Sequence, residues 1–360
     1  MNLGILAPYP INCGPSQRFR FEQYLTIWRQ NGIEITLYPF YSKYVWSILY
    51  LRGKVIRKTV GVLACMARRI FITLFSLRSH DLIFIHREAV PAGPPVVEWI
   101  LTKVFRKRII FDFDDALWLV HCKRLINLFL MRRVRVNFLL RNSNYIICGN
   151  KYLLDYCLKF NECTTIIPTT IDTKYHKPVS KINEKPTICW TGTHTTLPYL
   201  KIILESLNEI NKQFHFVFLV ISNEKPDFPI PNMVFKRWNQ EDEIETLCEA
   251  SIGVMPLPFD AWSKGKCGLK ILQFMALGIP VVASDWGVNS EIIKQGHNGM
   301  LCKDTSQWTE SLRILLEDSA LRNHIGREGR KLVESKYSVE FNKAHYSQVL
   351  DNQFKNSPCL

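Results

Sequence analysis

The chain has 360 residues, 47% of them hydrophobic, enough for two domains of common size and too apolar for a disordered or fibrous protein. Lys and Arg number 46 against 32 Asp and Glu, and the formal charge of +14 predicts attraction to nucleic acid, an anionic membrane surface or a phosphorylated small molecule. Eleven cysteines show no CxxC pair and no cysteine–histidine spacing that suggests zinc, and read as the reduced thiols of a cytoplasmic protein.

The opening MNLGILAPYP lacks a basic stretch before its apolar run and turns at Pro8, so residues 3–7 read as a buried strand rather than a signal peptide. From Gln17 the pattern is helical, with Phe21, Tyr24-Leu25 and Trp28 on one face and Asn31-Gly32 at the stop. Further strands are predicted at residues 33–39, 82–86, 108–115, 145–148 and 165–168, with a helix over about 95–105. A second series begins at Thr187, with strands at 188–191, 216–221, 234–237, 252–257, 280–283 and 300–302. Its clearest helix carries Leu197, Leu200, Ile203-Leu204, Leu207 and Ile210. Strands alternating with helices predict parallel, doubly wound sheets, and no sequence period repeats.

Two basic stretches contain no acid. Residues 41–80 hold eight Lys or Arg, and residues 121–141 hold six. Residues 60–77 are long enough for a membrane span, but Arg68 and Arg69 at its centre would each cost about 2.5–3.5 kcal/mol there. An interfacial helix fits instead, its apolar face in the headgroup boundary and its arginines toward anionic lipid. The plain alternative is a pair of helices covering a sheet, with solvated basic residues.

The stretch WSKGKCGLKILQFMALGIPVVAS, residues 262–284, reads as a basic turn, a helix and a buried strand. Lys264, Lys266 and Lys270 bring charge to the turn, and Gly265 and Gly268 let backbone amides approach an anion. Gly268-Leu269 and Phe274-Met275-Ala276-Leu277-Gly278-Ile279-Pro280-Val281-Val282 resemble the signature of retaining glycosyltransferases of family 4 (glycosyl transferases group 1), which have the GT-B fold. Gly265 stands where that signature has its first glutamate, and Gln273 replaces the second.

The resemblance implies an α/β protein of two Rossmann-like, doubly wound parallel-sheet domains facing a central cleft. Residues 1–172 would bind acceptor, 173–186 would link, 187–336 would bind a nucleotide sugar, and a helix over 337–360 would cross back to the first domain. The donor set is Gly192, Thr193, Lys264, Lys266, Gly268, Leu269, Lys270 and Gln273. Lys266 is the first choice for charge compensation, and Gln273 is expected to face a ribose. Gly192-Thr193-His194-Thr195-Thr196 is also readable as a plain loop in which Thr195 or Thr196 caps a helix.

In the first domain Asp112, Asp114 and Asp115 cluster at the carboxyl end of a strand, where open parallel sheets present their loops to a ligand crevice. Asp114 stands where family 4 often has a histidine facing the reacting sugar, and His86 where it often has another. Asp114, Asp115, His86 and Lys266 are the catalytic candidates, with His121 ranked behind them. Gly14, Ser16, Arg18 and Arg87 are assigned to the acceptor side. The aspartates have a structural alternative, pairing with Arg18, Arg20 or Arg87.

The function implied is retaining, metal-independent transfer from a nucleoside diphosphate sugar to a saccharide or lipid-linked acceptor in surface polysaccharide or glycolipid synthesis. No cofactor or metal is expected, and peripheral contact with an anionic membrane is expected through 41–80 and 121–141. The alternative is a catalytically degenerate protein that binds a nucleotide or scaffolds a glycan assembly. A nucleic-acid partner rests on charge alone, without an RNA-binding or helix-turn-helix pattern.

Overall fold

Two six-stranded sheets, each parallel throughout, organise the described residues of the computed structural model, which are 1–49, 51, 53–119, 131–179 and 185–355. One compact unit comprises Met1–Thr169 with Lys343–Leu360, and the other Thr170–Asn342. His121 and the first ten residues of the second basic stretch lie outside the described residues, as do residues 180–184 of the expected linker.

The first sheet is built from β1 (Asn2–Ala7), β2 (Glu34–Pro39), β3 (Leu82–His86), β4 (Arg108–Phe113), β5 (Tyr145–Cys148) and β6 (Thr164–Ile166), in the order β2-β1-β3-β4-β5-β6. Every residue of β3 (LIFIH) is buried, whereas β2 (EITLYP) has only exposed and half-buried positions, as central and edge strands require. The second sheet is built from β7 (Thr187–Thr191), β8 (Val217–Ser222), β9 (Met233–Arg237), β10 (Ile252–Met255), β11 (Val281–Ser284) and β12 (Met300–Cys302), in the order β12-β11-β10-β7-β8-β9. In each sheet the first strand in sequence sits inside, so the winding direction reverses beside it, between β1 and β3 and between β7 and β10. Loops at the carboxyl ends of such a pair diverge and leave room for a ligand.

The helix expected from Gln17 is broken into Pro15–Arg18, a 3-10 turn at Glu22–Tyr24 and Leu25–Gln30. Side-chain bonding accounts for part of this: Gln17 Nε2 donates to the Tyr9 carbonyl at 3.1 Å and to Glu22 at 2.7 Å, drawing the segment back onto the loop after β1. The closing helix, Val339–Phe354, contributes Tyr346 to the first unit's core, 4.6 Å from the Tyr24 ring and 5.6 Å from Trp28. Eight cysteines among the described residues are free thiols, while Cys163 is disulfide-bonded and departs from the fully reduced set expected.

The acid-free stretch forms the helix Val55–Phe71, continued by a π turn at Ile72–Ser76 and a 3-10 turn at Leu77–Ser79. Its arginines do not point as expected. Arg69 is buried, and its Nη2 donates to the carbonyls of Tyr38 at 2.8 Å and Ala7 at 3.3 Å. Arg68 Nη2 donates to the carbonyls of Pro39 and Phe40, each at 2.7 Å. The guanidinium groups gather carbonyls at the carboxyl ends of β1 and β2, among them that of Ala7, which also accepts from the Phe40 N–H. In the second basic stretch, the described helix Arg132–Asn142 also turns inward, burying Arg135, Val136, Leu139 and Leu140.

Candidate functional site

In the second unit, the reversal between β7 and β10 brings Gly192, at the end of β7, against the helix Leu269–Ala276. The helix starts at Gly268, whose φ of +72° is left-handed and whose missing Cβ leaves room for Ile292. A Cβ there would lie 2.5 Å from the Ile292 side chain. The first turn of a helix presents amides without intrahelical acceptors and the positive end of its dipole, here at Leu269 and Lys270.

Lys270 reaches from that first turn into the end of β7. Its Nζ lies over the Trp190 ring, 4.7 Å from the centroid, and 3.4 Å from Thr196 Oγ1. A Cβ at Gly192 would fall 2.5 Å from the same Nζ and 2.4 Å from Trp190, so only glycine fits beside the pair. Burial first, and the neighbouring Lys266 charge second, push the Lys270 pKa down to about 7. Among the described residues no carboxylate pairs with this lysine.

The other two lysines of the turn are also held by aromatic faces. Lys266 Nζ lies 4.8 Å from the Trp262 centroid, and Lys264 Nζ 5.5 Å from that of Trp286. Lys266, ranked first from the sequence, therefore stands beside the enclosed cation rather than in its place. Gln273 is buried and makes no side-chain hydrogen bond among the described residues. In the loop after β7, Thr193 Oγ1 meets Thr195 Oγ1 at 2.8 Å and Thr196 Oγ1 donates to the Thr193 carbonyl at 3.1 Å. The helical turn that follows Thr196 has no side-chain cap. No local spacing pointed to Trp190, Trp262 or Trp286 as partners of these lysines.

In the first unit, the ends of β1, β3 and β4 bring a second cluster together. His86, the last residue of β3, is buried, with Nδ1 2.7 Å from Asp112 Oδ2 and Nε2 3.0 Å from Ser16 Oγ. Ser16 Oγ also donates to Asp114 Oδ1 at 2.7 Å. Asp112 is buried too, paired with Arg20 and accepting from the Tyr346 hydroxyl at 3.2 Å. Burial disfavours its charge, yet Arg20 and His86 outweigh burial and pull its pKa down to about 2. An ionised Asp112 requires a proton on His86 Nδ1. His86 Nε2 then faces the Ser16 Oγ, whose own proton goes to Asp114.

Arg87 follows at a left-handed φ of +62°, unfavourable for a residue with a side chain. That turn directs its Nη1 to Asp114 Oδ1 at 2.8 Å and Asp115 Oδ2 at 2.7 Å. The arrangement is the pairing foreseen as the structural alternative for the two aspartates, and it leaves both partly exposed. Gly14 is needed where it stands, because a Cβ would meet the Tyr9 ring at 2.3 Å. Arg18 lies over the Phe19 ring, 5.2 Å from its centroid. Asp112, Arg20 and Tyr346 complete the cluster. Tyr346 was not legible, being 234 residues from Asp112.

Residues 185–318 match the family described as Glycosyl transferases group 1. Spore coat protein SA of Bacillus subtilis is 35% identical over 68 residues, which is 18% of this chain and 18% of that relative's length. Sucrose-phosphate synthase from Thermosynechococcus elongatus superimposes with a TM-score of 0.74 at 14% identity, over 99% of this chain and 100% of that one. Anabaena HepE, crystallised with UDP-glucose, superimposes with a TM-score of 0.68 at 14% identity, over 98% and 100% of the two chains. The structural matches establish the fold, and the sequence match covers the unit that holds the lysine turn. Residues 185–318 thus match the glycosyl transferases group 1 family, within a chain whose two-domain fold is the GT-B fold.

Proposed function

We propose that this chain transfers a sugar, with retention of configuration, from a nucleoside diphosphate sugar to a saccharide or lipid-linked acceptor at the inner face of a cytoplasmic membrane. The observation that carries the reading is Lys270, an amine enclosed by Trp190, Gly192 and Thr196 at a helix start, with no carboxylate paired to it among the described residues. A diphosphate seated there meets Lys270, the amides of Gly268 and Leu269, and the charges of Lys264 and Lys266. Gln273 has an unused amide for a ribose hydroxyl, and Gly192 and Thr193 line the approach. This reading gives charge neutralisation to lysines and amides rather than to a metal. HepE bound UDP-glucose in its crystals, which supports a nucleotide sugar as the donor class.

On the acceptor side, Ser16, His86 and Asp114 form the hydroxyl-binding group, with Gly14, Arg87 and Asp115 shaping it. An acceptor hydroxyl that takes the place of the Ser16 Oγ would meet His86 Nε2 and the Asp114 carboxylate. Retention follows the resemblance, in which the leaving phosphate assists deprotonation. Titration calorimetry with UDP, GDP and dTDP tests the donor assignment. Absence of binding to any nucleoside diphosphate, with no transfer from a nucleotide sugar, would overturn it. Gln273 and Gly265 at the two glutamate positions favour a second reading, a nucleotide-binding protein without turnover. Product release from a bound donor excludes that one.

A further inference from the structure

The helical stretch from Val55 to Ser79 is exposed where an ordinary core helix is covered: only 22% of its most apolar window is buried. Its outer face carries Ile56, Val60, Leu63, Ile70, Phe71 and Phe75, each exposed and spaced to fall along one side. Cys65, Arg69, Thr73 and Leu77 form the opposite, buried side. Arg68 and Arg69 are committed to four backbone carbonyls at the ends of β1 and β2, which pins the helix across the sheet edge. That leaves the apolar stripe as the outward face.

We propose that this stripe is a membrane-docking surface that lies in the interfacial plane of an anionic bilayer, the six apolar side chains entering the headgroup boundary. Two observations select this occupant. No Asp or Glu occurs in residues 41–80, and Lys54, Arg57, Lys58 and Arg78 lie at the two ends of the stripe. The surplus of charge also lies wholly in this unit, which has 26 Lys or Arg against 11 Asp or Glu, while the other has 20 against 21. A second copy of the chain would set two cationic surfaces face to face. The anchored arginines also oppose a transmembrane course, since spanning would strip them from their carbonyls. The inference takes further the membrane placement proposed above and does not depend on the donor assignment.

The test is flotation of the full chain with vesicles of phosphatidylcholine, and of phosphatidylcholine with about a third phosphatidylserine, at low and high salt. The chain is expected to float with the anionic vesicles and to be released in part by salt. Leu63→Glu with Phe71→Glu is expected to weaken partition by about tenfold or more, while thermal unfolding and nucleotide binding stay unchanged. Leu63→Gln with Phe71→Gln, which adds no charge, separates lost apolar contact from new repulsion and is expected to weaken partition as well. Unchanged partition in folded variants overturns the proposal. So does resistance to alkaline extraction, the mark of a spanning helix, or a wild-type dimer that these substitutions dissociate without any vesicle binding. Loss of nucleotide binding in the wild type would count against the donor reading alone.

Discussion

Lys270 and Trp190 form a cation–π pair, Nζ 4.7 Å from the ring centroid, at the carboxyl end of the second unit's central strand. The pairing holds the ammonium in position without cancelling its charge. Burial simultaneously weakens the hold on its proton, so near pH 7 the charged and neutral forms are about equally populated and an arriving anion favours the charged one.

Binding of a nucleoside diphosphate should therefore take up a proton. The free Lys270 pKa is about 7 against an ordinary value of 10.5, and a bound diphosphate raises it. Calorimetry in two buffers of different ionisation enthalpy should show proton uptake above pH 7, with affinity falling as pH rises. Lys270→Ala should abolish the uptake and weaken binding by about tenfold or more. The sign for folding is opposite to that of an ordinary ion pair. Between pH 7 and 10.5 the unfolded chain binds more protons at this site, so it makes the free protein more stable as pH rises.

Gly192→Ala should damage the same site by volume alone. The added Cβ lands 2.4 Å from Trp190 and 2.5 Å from Lys270 Nζ, so one of them must move. Overpacking of this kind costs about 1–3 kcal/mol, readable as a lower thermal midpoint with weaker nucleotide binding. An unchanged affinity would place the donor elsewhere.

Gln273→Ala should weaken nucleotide binding by about 0.5–1.5 kcal/mol, the range of one neutral hydrogen bond. Gln273→Glu should strengthen it toward the range of a charged bond. A comparison of nucleoside diphosphates with their 2′,3′-dideoxy forms tells whether the partner is the ribose, because the difference between them should vanish in Gln273→Ala.

His86→Gln and Ser16→Ala should leave nucleotide affinity intact and reduce transfer. The loss expected for His86 is about 10²–10⁴-fold, the span of a positioned proton-transfer group. Asp112→Asn should affect both stability and transfer. It leaves Arg20 buried without its counter-charge, at a cost of about 3–5 kcal/mol. Asp112, its pKa lowered from 3.8 to about 2, contributes stability that is present above pH 3.8 and lost as pH falls through 2. The acid limb of unfolding should therefore flatten over that window in Asp112→Asn.

Much of this architecture was legible because its signals are local. The runs LIFIH and VVAS are apolar on both faces, as central parallel strands must be. The helix after Gln17 was misjudged because its periodicity is real but Gln17 and Glu22 spend their side chains on the preceding loop. Arg68 and Arg69 were misjudged because an arginine in an apolar helix reads as solvent- or lipid-facing until acceptors appear nearby. Those acceptors are backbone carbonyls, which no residue pattern reveals.

By itself the sequence determined the two alternating strand–helix series, the lysine–glycine turn and the acid-free amphipathic stretch, because each depends on spacing within one segment. Only the tertiary structure decided which lysine is enclosed, that His86 bonds an Asp112 also held by Tyr346, and which side of the Val55–Phe71 helix faces out. Those outcomes depend on contacts between segments far apart in the chain. Whether a charge there meets water, a ring or a carbonyl is set by the sheets' winding order rather than by its neighbours in sequence.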